Sequence, residues 1–261
     1  MWFAVFSILF YLISALMIAP LLNSSDNEKR RPKKTSFFLT ALLAVVFHLI
    51  SLYPALQELA LERKFSLVEI SSLMSVNIAI LAILAMLVVN SMWFLLPIVF
   101  SFSIFNVVLE TFMPSHMIQL LNQDSAMLFH IGLSIFTYAV CFIATLYAIQ
   151  IGWIDHHLKT KKTLFPPVIP SLITVERHFF KLFAIGELLL TLTLISGVYH
   201  SINVLTAENI HKAGFSFLAW LIFGVALFGH WRLGWRGKRM IIYAISGIIF
   251  LTIAYFGSRL I

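Results

Sequence analysis

Eight stretches of about 18–24 largely apolar residues limit what this chain can fold into more than any other feature. Each is long enough to cross a hydrocarbon layer of ~30 Å as an α-helix, which rises ~1.5 Å per residue. The stretches predict an all-α polytopic membrane protein of about eight transmembrane helices, with residues 1–261 as a single integral membrane domain. They cover residues 2–22, 37–55, 68–89, 92–110, 127–150, 179–198, 212–229 and 239–257.

Composition excludes the main alternatives to a membrane protein. Hydrophobic residues make up 61% of the chain and charged residues 11%, against ~45–50% and ~25% in soluble globular proteins. The single cysteine excludes a disulfide scaffold. The sequence contains neither a phosphate-binding loop nor a Cys-x-x-Cys-His haem-attachment motif, which argues against ATP-driven transport and against a c-type cytochrome.

The positive charges predict the orientation of the helices. Of the 18 lysine and arginine residues, 14 fall in the connections after the first, fifth and seventh stretches. Cytoplasmic connections of membrane proteins are enriched in these residues, so both termini are expected outside. This placement explains the net charge of +7, and we expect a lipid bilayer rather than nucleic acid as the partner. Only Asn90 and Ser91 separate the third and fourth stretches, which predicts a tight helical hairpin.

Histidines gather at the predicted outer face. A neutral imidazole can ligate iron, copper or zinc through one nitrogen while the other is held by a hydrogen bond. His130 and His211 open two spans that run in the same direction, and such a pair could provide both axial ligands of a haem. For any one of these histidines, an ordinary interfacial polar residue remains an alternative. Five of the nine histidines lie at this face: His48, His116, His130, His200 and His211.

Polar residues inside the spans leave their roles open. Glu187 lies near the middle of the sixth span, where a charged side chain costs at least ~2.5 kcal/mol, so it is expected to face the bundle interior, be protonated or pair. A structural hydrogen bond and a functional role both remain open. One face of the fifth span carries a polar residue at every fourth position: His130, Ser134 and Tyr138. These side chains could form contacts between helices or act as a relay.

Two predicted cytoplasmic features have ordinary explanations. His156 and His157 adjoin Asp155; neighbouring residues on a helix point about 100° apart, which makes these histidines poor joint ligands and favours a solvated face. The segment 229–239 is a basic turn with two tryptophans, for which an interfacial aromatic belt and anionic lipid headgroups account.

Several segments occur together in one order along the chain: His130-Ile131-Gly132-Leu133-Ser134, Pro166-Pro167, Glu176-Arg177, residues 190–197, His211-Lys212-Ala213 with Trp220, and Gly234-Trp235-Arg236-Gly237. They resemble the cytochrome c assembly membrane proteins, the haem-handling superfamily of CcmC, CcmF and CcsA, and most of all its small eight-span HemX- and YpjD-like branch. The resemblance is sharpest over residues 126–258 and weaker over the first half.

This resemblance implies a haem-binding accessory protein in the bacterial inner (cytoplasmic) membrane. Non-covalent b-type haem would be held at the outer face with His130 and His211 as axial ligands of the iron, and with His48 and His200 in reserve. The haem-delivering members carry a Trp-Gly-x-x-Trp-x-Trp-Asp loop before the second histidine, whereas residues 200–210 contain no tryptophan. We therefore expect no haem-lyase or other enzymatic activity. Other proteins of cytochrome c biogenesis or of the haem pathway are the expected protein partners.

Two other functions are compatible with parts of the sequence. A small-solute transporter or channel-like protein could use Glu187 and the outer histidines along a path. However, transporters generally need discontinuous helices and distributed intramembrane polar groups, and four of the eight spans are almost uniformly apolar. An electron-carrying b-type cytochrome would need paired histidines deeper in facing helices, and only His48 lies clearly within a span.

Overall fold

A computed structural model describes residues 1–23, 34–58, 64–113, 118–120, 125–160, 170–200 and 207–257. Each predicted span corresponds to one long helix in this part of the chain, which confirms the all-α membrane fold. The long helices are α1 (Trp2–Asn23), α2 (Lys34–Ser51), α4 (Leu67–Val88), α5 (Leu96–Phe112), α6 (Ser125–Thr160), α7 (Leu172–His200), α8 (Ala207–Leu233) and α9 (Lys238–Phe256). A short helix, α3 (Tyr53–Gln57), follows α2, and two short strands, β1 (Lys64–Ser66) and β2 (Ile118–Leu120), pair antiparallel.

The surfaces of the helices suit a lipid environment. Seven of the described helices are at least 18 residues long and apolar enough to cross a membrane, and α5 is a shorter apolar helix of 17 residues. On α7, the apolar side chains of Ile185, Leu188, Leu192 and Ile195 are 46–61% exposed. Their spacing of three and four residues places them on one helical face. A continuous apolar face of this kind is unfavourable in water and favourable against lipid chains.

The chain divides into two compact units, which we call unit 1 and unit 2. Unit 1 contains α1 to α5 with both strands, and unit 2 contains α6 to α9. Both consist mainly of helices of membrane-spanning length, so the single integral membrane domain stays a prediction.

Unit 1 packs through regularly spaced positions. The buried face of α1 consists of Ala4, Ser7, Tyr11, Ser14 and Ile18. These positions alternate between three and four residues apart, the spacing by which one helix packs along another. α1 packs against α2 and α5, and α4 packs against α2 and α5. The hydroxyl groups of Ser7, Tyr11 and Ser14 therefore lie between helices rather than in lipid.

The helical hairpin predicted at Asn90 and Ser91 is confirmed. A 3₁₀ turn over Asn90–Phe94 joins α4 to α5. Ser72 near the start of α4 donates to Glu110 near the end of α5 at 2.7 Å, and Ser103 donates to the carbonyl oxygen of Ser75. These contacts show that the two helices run antiparallel. At the amino-terminal end of α4, Ser66 and Glu69 form a reciprocal capping box.

Unit 2 is an antiparallel ring of four helices. Thr137 of α6 and Thr193 of α7 are hydrogen-bonded at 2.9 Å, and Trp220 of α8 donates to Thr191 of α7 at 2.8 Å. The ring closes through α9, which packs against both α8 and α6. Consecutive helices are thus neighbours, and α6 and α8 lie at opposite corners with their amino-terminal ends at the same end of the ring.

Two helices extend beyond the boundaries read from hydropathy. α6 ends at Thr160 rather than near residue 150, and α7 begins at Leu172 rather than near residue 179. The 36 residues of α6 span ~54 Å, more than the ~30 Å hydrocarbon core. Its charged end is stabilised as a helix by a salt bridge of 2.7 Å between Asp155 and Lys159. Hydropathy detects where apolar character ends, not where the helix ends.

The basic turn between α8 and α9 is a packed element of unit 2. Gly234 and Gly237 have φ angles of 64° and 62°, a left-handed conformation that other residues adopt at a cost. The ring of Trp235 lies against Gly229 and stacks on Tyr243 with centroids 5.5 Å apart. Arg236 forms an ion pair with Glu176, and this partner raises the pKa of Arg236 above its ordinary value. Only the other tryptophan, Trp231, is largely exposed, at 69%.

The orientation in the membrane stays a prediction that reporter fusions can test. A fluorescent reporter inserted between α6 and α7 should fold and fluoresce, because the lysine-rich connection there is predicted to be cytoplasmic. Alkaline phosphatase fused after residue 261 should be active, because it requires export. A phosphatase-inactive, fluorescent fusion at that end would contradict the predicted orientation.

Candidate functional site

The side chain of His130 is half-buried near the start of α6 and is held by α7. Its Nδ1 lies 2.8 Å from Oγ of Ser196. Ser196 in turn donates to the carbonyl oxygen of Thr193 at 2.9 Å, so its oxygen is well placed to accept a hydrogen bond from Nδ1–H. This arrangement favours the tautomer with the proton on Nδ1 and the lone pair on Nε2. A histidine that ligates a metal is typically oriented in this way by a second hydrogen bond.

Gly197 provides the space in which the His130 ring lies. A Cβ added to Gly197 would lie 3.1 Å from Cε1 of the imidazole, closer than ordinary van der Waals contact. The ring therefore packs directly against the α7 backbone. Ser196 and Gly197 belong to the segment that carried the family resemblance, but their contact with His130 was not predicted from the sequence.

The second predicted ligand, His211, lies at the same end of unit 2. It is exposed and occupies the second turn of α8, as His130 occupies the second turn of α6. Neighbouring packed helices are typically 8–10 Å apart, which puts opposite corners of a four-helix ring roughly 11–14 Å apart. This spacing is compatible with one haem iron between two histidine side chains. The two axial ligands therefore stay a prediction.

His48, a reserve ligand in the sequence analysis, has a different environment. It is fully buried in unit 1. Its Nδ1 lies 3.3 Å from the hydroxyl of Tyr11, and its Nε2 lies 2.9 Å from Oγ of Ser72. An iron ion could bind His48 only by replacing one of these hydrogen bonds.

The two remaining outer histidines, His200 and His116, lie at or beyond the limits of the described residues. His200 is the last residue of α7, and its side chain lies outside the described part of the structure. His116 also lies outside the described residues.

The predicted solvated histidines occupy the extension of α6. His156 is exposed, and His157 Nδ1 donates to the carbonyl oxygen of Trp153 at 2.9 Å. The two imidazole rings are inclined by 79° with centroids 5.9 Å apart, a poor geometry for binding one metal ion together. Within the described residues, no group of three or more histidine, cysteine, aspartate or glutamate side chains could hold a metal ion.

Glu187 faces α8 from the middle of α7. A Cβ added to Gly224 would lie 3.2 Å from Oε1 of Glu187, so glycine at this position makes room for the carboxyl group. Oε2 is buried and has no hydrogen-bond partner among the described residues. Next to it, Thr191 donates to the carbonyl oxygen of Glu187 at 2.8 Å. The carboxyl group thus faces a neighbouring helix, which agrees with the first of the alternatives given from the sequence, the bundle interior, and it has no paired charge among the described side chains.

Comparison with known sequences identifies the class of protein. A family model described as "Cytochrome C assembly protein" matches residues 35–261, and the chain belongs to this family. It is also 40% identical over 261 residues to the "Inner membrane protein YpjD" of Escherichia coli strain K12, covering 99% of this chain and 97% of the relative. Proteins of the same name from strains O6:H1 and O157:H7 match equally well. These matches confirm the YpjD-like branch and the inner-membrane location.

The family match reaches well into the first half of the chain, where the resemblance by motifs was weak. No solved structure matches the chain.

Proposed function

We propose that this protein is a haem-binding accessory protein of cytochrome c assembly that holds b-type haem at the outer face of the inner membrane. The family and the membrane location are shown by the comparisons. The observation that supports haem binding most directly is the hydrogen bond of 2.8 Å between His130 Nδ1 and Ser196. Histidines that ligate a metal are typically oriented by a hydrogen bond of this kind at the other ring nitrogen.

The residues of unit 2 fit the demands of the proposed ligand. A bound haem would supply an iron that the imidazoles of His130 and His211 would hold. Ser196 fixes the tautomer of His130, and Gly197 leaves room for its ring. His211 extends from the opposite corner of the same end, and its exposure leaves its side chain able to turn towards a bound ligand.

The proposed role is accessory rather than enzymatic. The tryptophan-rich outer loop of the haem-delivering members has no counterpart in residues 200–210. In our proposal the protein binds haem and presents or stores it for other proteins of the pathway. The partners would meet the outer end of unit 2, where both histidines lie.

The contacts within unit 2 favour this proposal over a transporter. Polar side chains between its helices bond to each other or to nearby carbonyl groups: Thr137 with Thr193, Tyr138 with Thr252 at 3.0 Å, and Trp220 with Thr191. Such pairs hold helices together. A solute path would instead require polar groups turned towards an opening. Among the described residues of unit 2, the exceptions are Glu187 and Gln150, which have buried side-chain atoms without a hydrogen-bond partner.

An absorption spectrum of the purified protein tests the proposal. After expression with haem supplementation, or after titration of the detergent-solubilised protein with haemin, we expect a Soret band and the sharp visible bands of a six-coordinate low-spin haem. Binding should saturate at one haem per chain. A spectrum that shows only free or non-specifically partitioned haemin would exclude the proposed function.

A further inference from the structure

A hydrogen-bonded chain of side chains runs through unit 1. Glu110 of α5 accepts from Ser72 of α4 at 2.7 Å. Ser72 lies 2.9 Å from Nε2 of His48 on α2, and Nδ1 of that imidazole lies 3.3 Å from the hydroxyl of Tyr11 on α1. We call these four residues the Glu110–Tyr11 chain. Ser72, His48 and Tyr11 have no exposed surface, whereas Glu110 is only partly buried near the end of α5.

Beyond Tyr11 the chain reaches α5 again. The side chain of Ser103 on α5 also neighbours the Tyr11 hydroxyl. Ser103 donates its own hydrogen to the carbonyl oxygens of Val99 at 3.1 Å and Ser75 at 3.3 Å. With that hydrogen engaged, the Ser103 oxygen has a lone pair that Tyr11 can donate to. Since Tyr11 has one hydrogen, it can donate either to His48 on α2 or to Ser103 on α5.

The state of Glu110 decides the direction of every bond in the chain. An ionised carboxylate can only accept, so Ser72 donates to Glu110 and accepts from Nε2–H of His48. Nδ1 of His48 then accepts from Tyr11. When Glu110 carries a proton, it donates to Ser72, and Ser72 donates to Nε2 of His48. The imidazole then has its hydrogen on Nδ1 and donates to Tyr11, which donates to Ser103.

We propose that the Glu110–Tyr11 chain is a proton-binding relay in which protonation of Glu110 reverses all the hydrogen bonds and transfers Tyr11 from α2 to α5. The two states differ by one proton: the ionised state has hydrogens on Ser72, Nε2 of His48 and Tyr11, and the protonated state has them on Glu110, Ser72, Nδ1 and Tyr11. The proton comes from the solvent at the end of α5, where Glu110 is partly exposed.

Titratable and hydrogen-bonding groups on each neighbouring element influence the carboxyl group of Glu110. α4 contributes the Ser72 hydroxyl and the carboxylate of Glu69, and α1 contributes the amino terminus of Met1. α2 contributes His48 through Ser72. The relay uses both nitrogens of His48, so it is independent of haem binding in unit 2 and makes His48 a relay residue rather than an iron ligand.

The tautomer of His48 is the direct readout. In the full-length protein in lipid vesicles, ¹⁵N-histidine solid-state NMR distinguishes protonated from unprotonated ring nitrogens, and the signals of His48 are assigned by their loss in His48→Gln. In the wild-type protein, lowering the pH should move the proton of His48 from Nε2 to Nδ1. Ser72→Ala should abolish this response because it removes the link to Glu110. Glu110→Gln should also abolish it, because the amide does not titrate.

Ser71→Ala provides the matched control. Ser71 is the neighbour of Ser72 on α4 but donates to Asn106 instead, so this variant should retain the pH response of the wild type. A wild-type protein in which His48 keeps one tautomer over the whole range in which carboxyl groups titrate would overturn the proposal. A response that persists in Ser72→Ala would overturn it as well. The wild-type titration decides the question even if the variants fold poorly.

Discussion

Replacing Gly247 with alanine is expected to lower the free energy of unfolding by about 1–3 kcal/mol, the usual cost of overpacking a core. A Cβ at this position in α9 would lie 1.9 Å from Cε1 and 2.4 Å from Cδ1 of Phe223. That ring is almost fully buried, and it packs edge-on against Phe183 with centroids 4.9 Å apart. It cannot move away without displacing Phe183, so α9 must shift away from α8. Denaturation of the purified protein in mixed micelles measures the loss.

Gly214 of α8 provides a matched control for this substitution. A Cβ added there meets no atom within 4 Å, and alanine is favoured over glycine in a helix by up to ~1 kcal/mol. Gly214→Ala should therefore leave stability unchanged or raise it slightly. Equal effects of the two substitutions would show that close packing of α8 against α9 at Gly247 does not stabilise unit 2.

The architecture was readable from the sequence because membrane helices satisfy their own backbone and must be long and apolar. Eight spans, their order and the hairpin at Asn90 and Ser91 all follow from that requirement. The extensions of α6 and α7 did not follow, because a helix can continue into water once its charged side chains pair, as Asp155 does with Lys159. The role of Trp235 was missed for a related reason. An interfacial tryptophan and one packed on Gly229 look alike in a sequence.

The candidate site was only partly predictable. His130 and His211 could be placed at one face, because their positions within the spans give their depth. The contact between His130 and Ser196 joins residues far apart in the sequence, and it depends on which faces of α6 and α7 meet. A serine and a glycine at the end of a span gave no specific signal. The Glu110–Tyr11 chain was not foreseen either, since each of the four long helices of unit 1 contributes one ordinary polar residue to it.

The largest functional effect is expected from the axial histidines. His130→Ala and His211→Ala should each remove one strong ligand and convert the low-spin haem spectrum to a high-spin one, or abolish haem binding. The double variant should bind no haem specifically. Absorption and electron paramagnetic resonance spectra of the purified variants, loaded with equal amounts of haemin, measure the spin state and the occupancy.

Three further variants make this test specific for the two ligands. His156→Ala and His157→Ala should keep the wild-type spectrum, because these residues lie on the extension at the other end of α6. His48→Ala should also keep the wild-type spectrum, because both ring nitrogens of His48 are hydrogen-bonded within unit 1. A wild-type spectrum in both His130→Ala and His211→Ala would contradict the assignment of the ligands.

Ser196→Ala tests whether Ser196 positions His130 as an iron ligand without binding the iron itself. The hydroxyl holds Nδ1 of His130 at 2.8 Å, and loss of such an outer hydrogen bond typically weakens metal affinity 10- to 100-fold. We expect Ser196→Ala to bind haem with a low-spin spectrum but with an affinity reduced by about this factor, measured by haemin titration. Ser196→Thr keeps the hydroxyl and should restore much of the affinity. If Ser196→Ala binds haem as tightly as the wild type, the hydroxyl does not orient His130 as an iron ligand, and the hydrogen bond serves only to join α6 and α7.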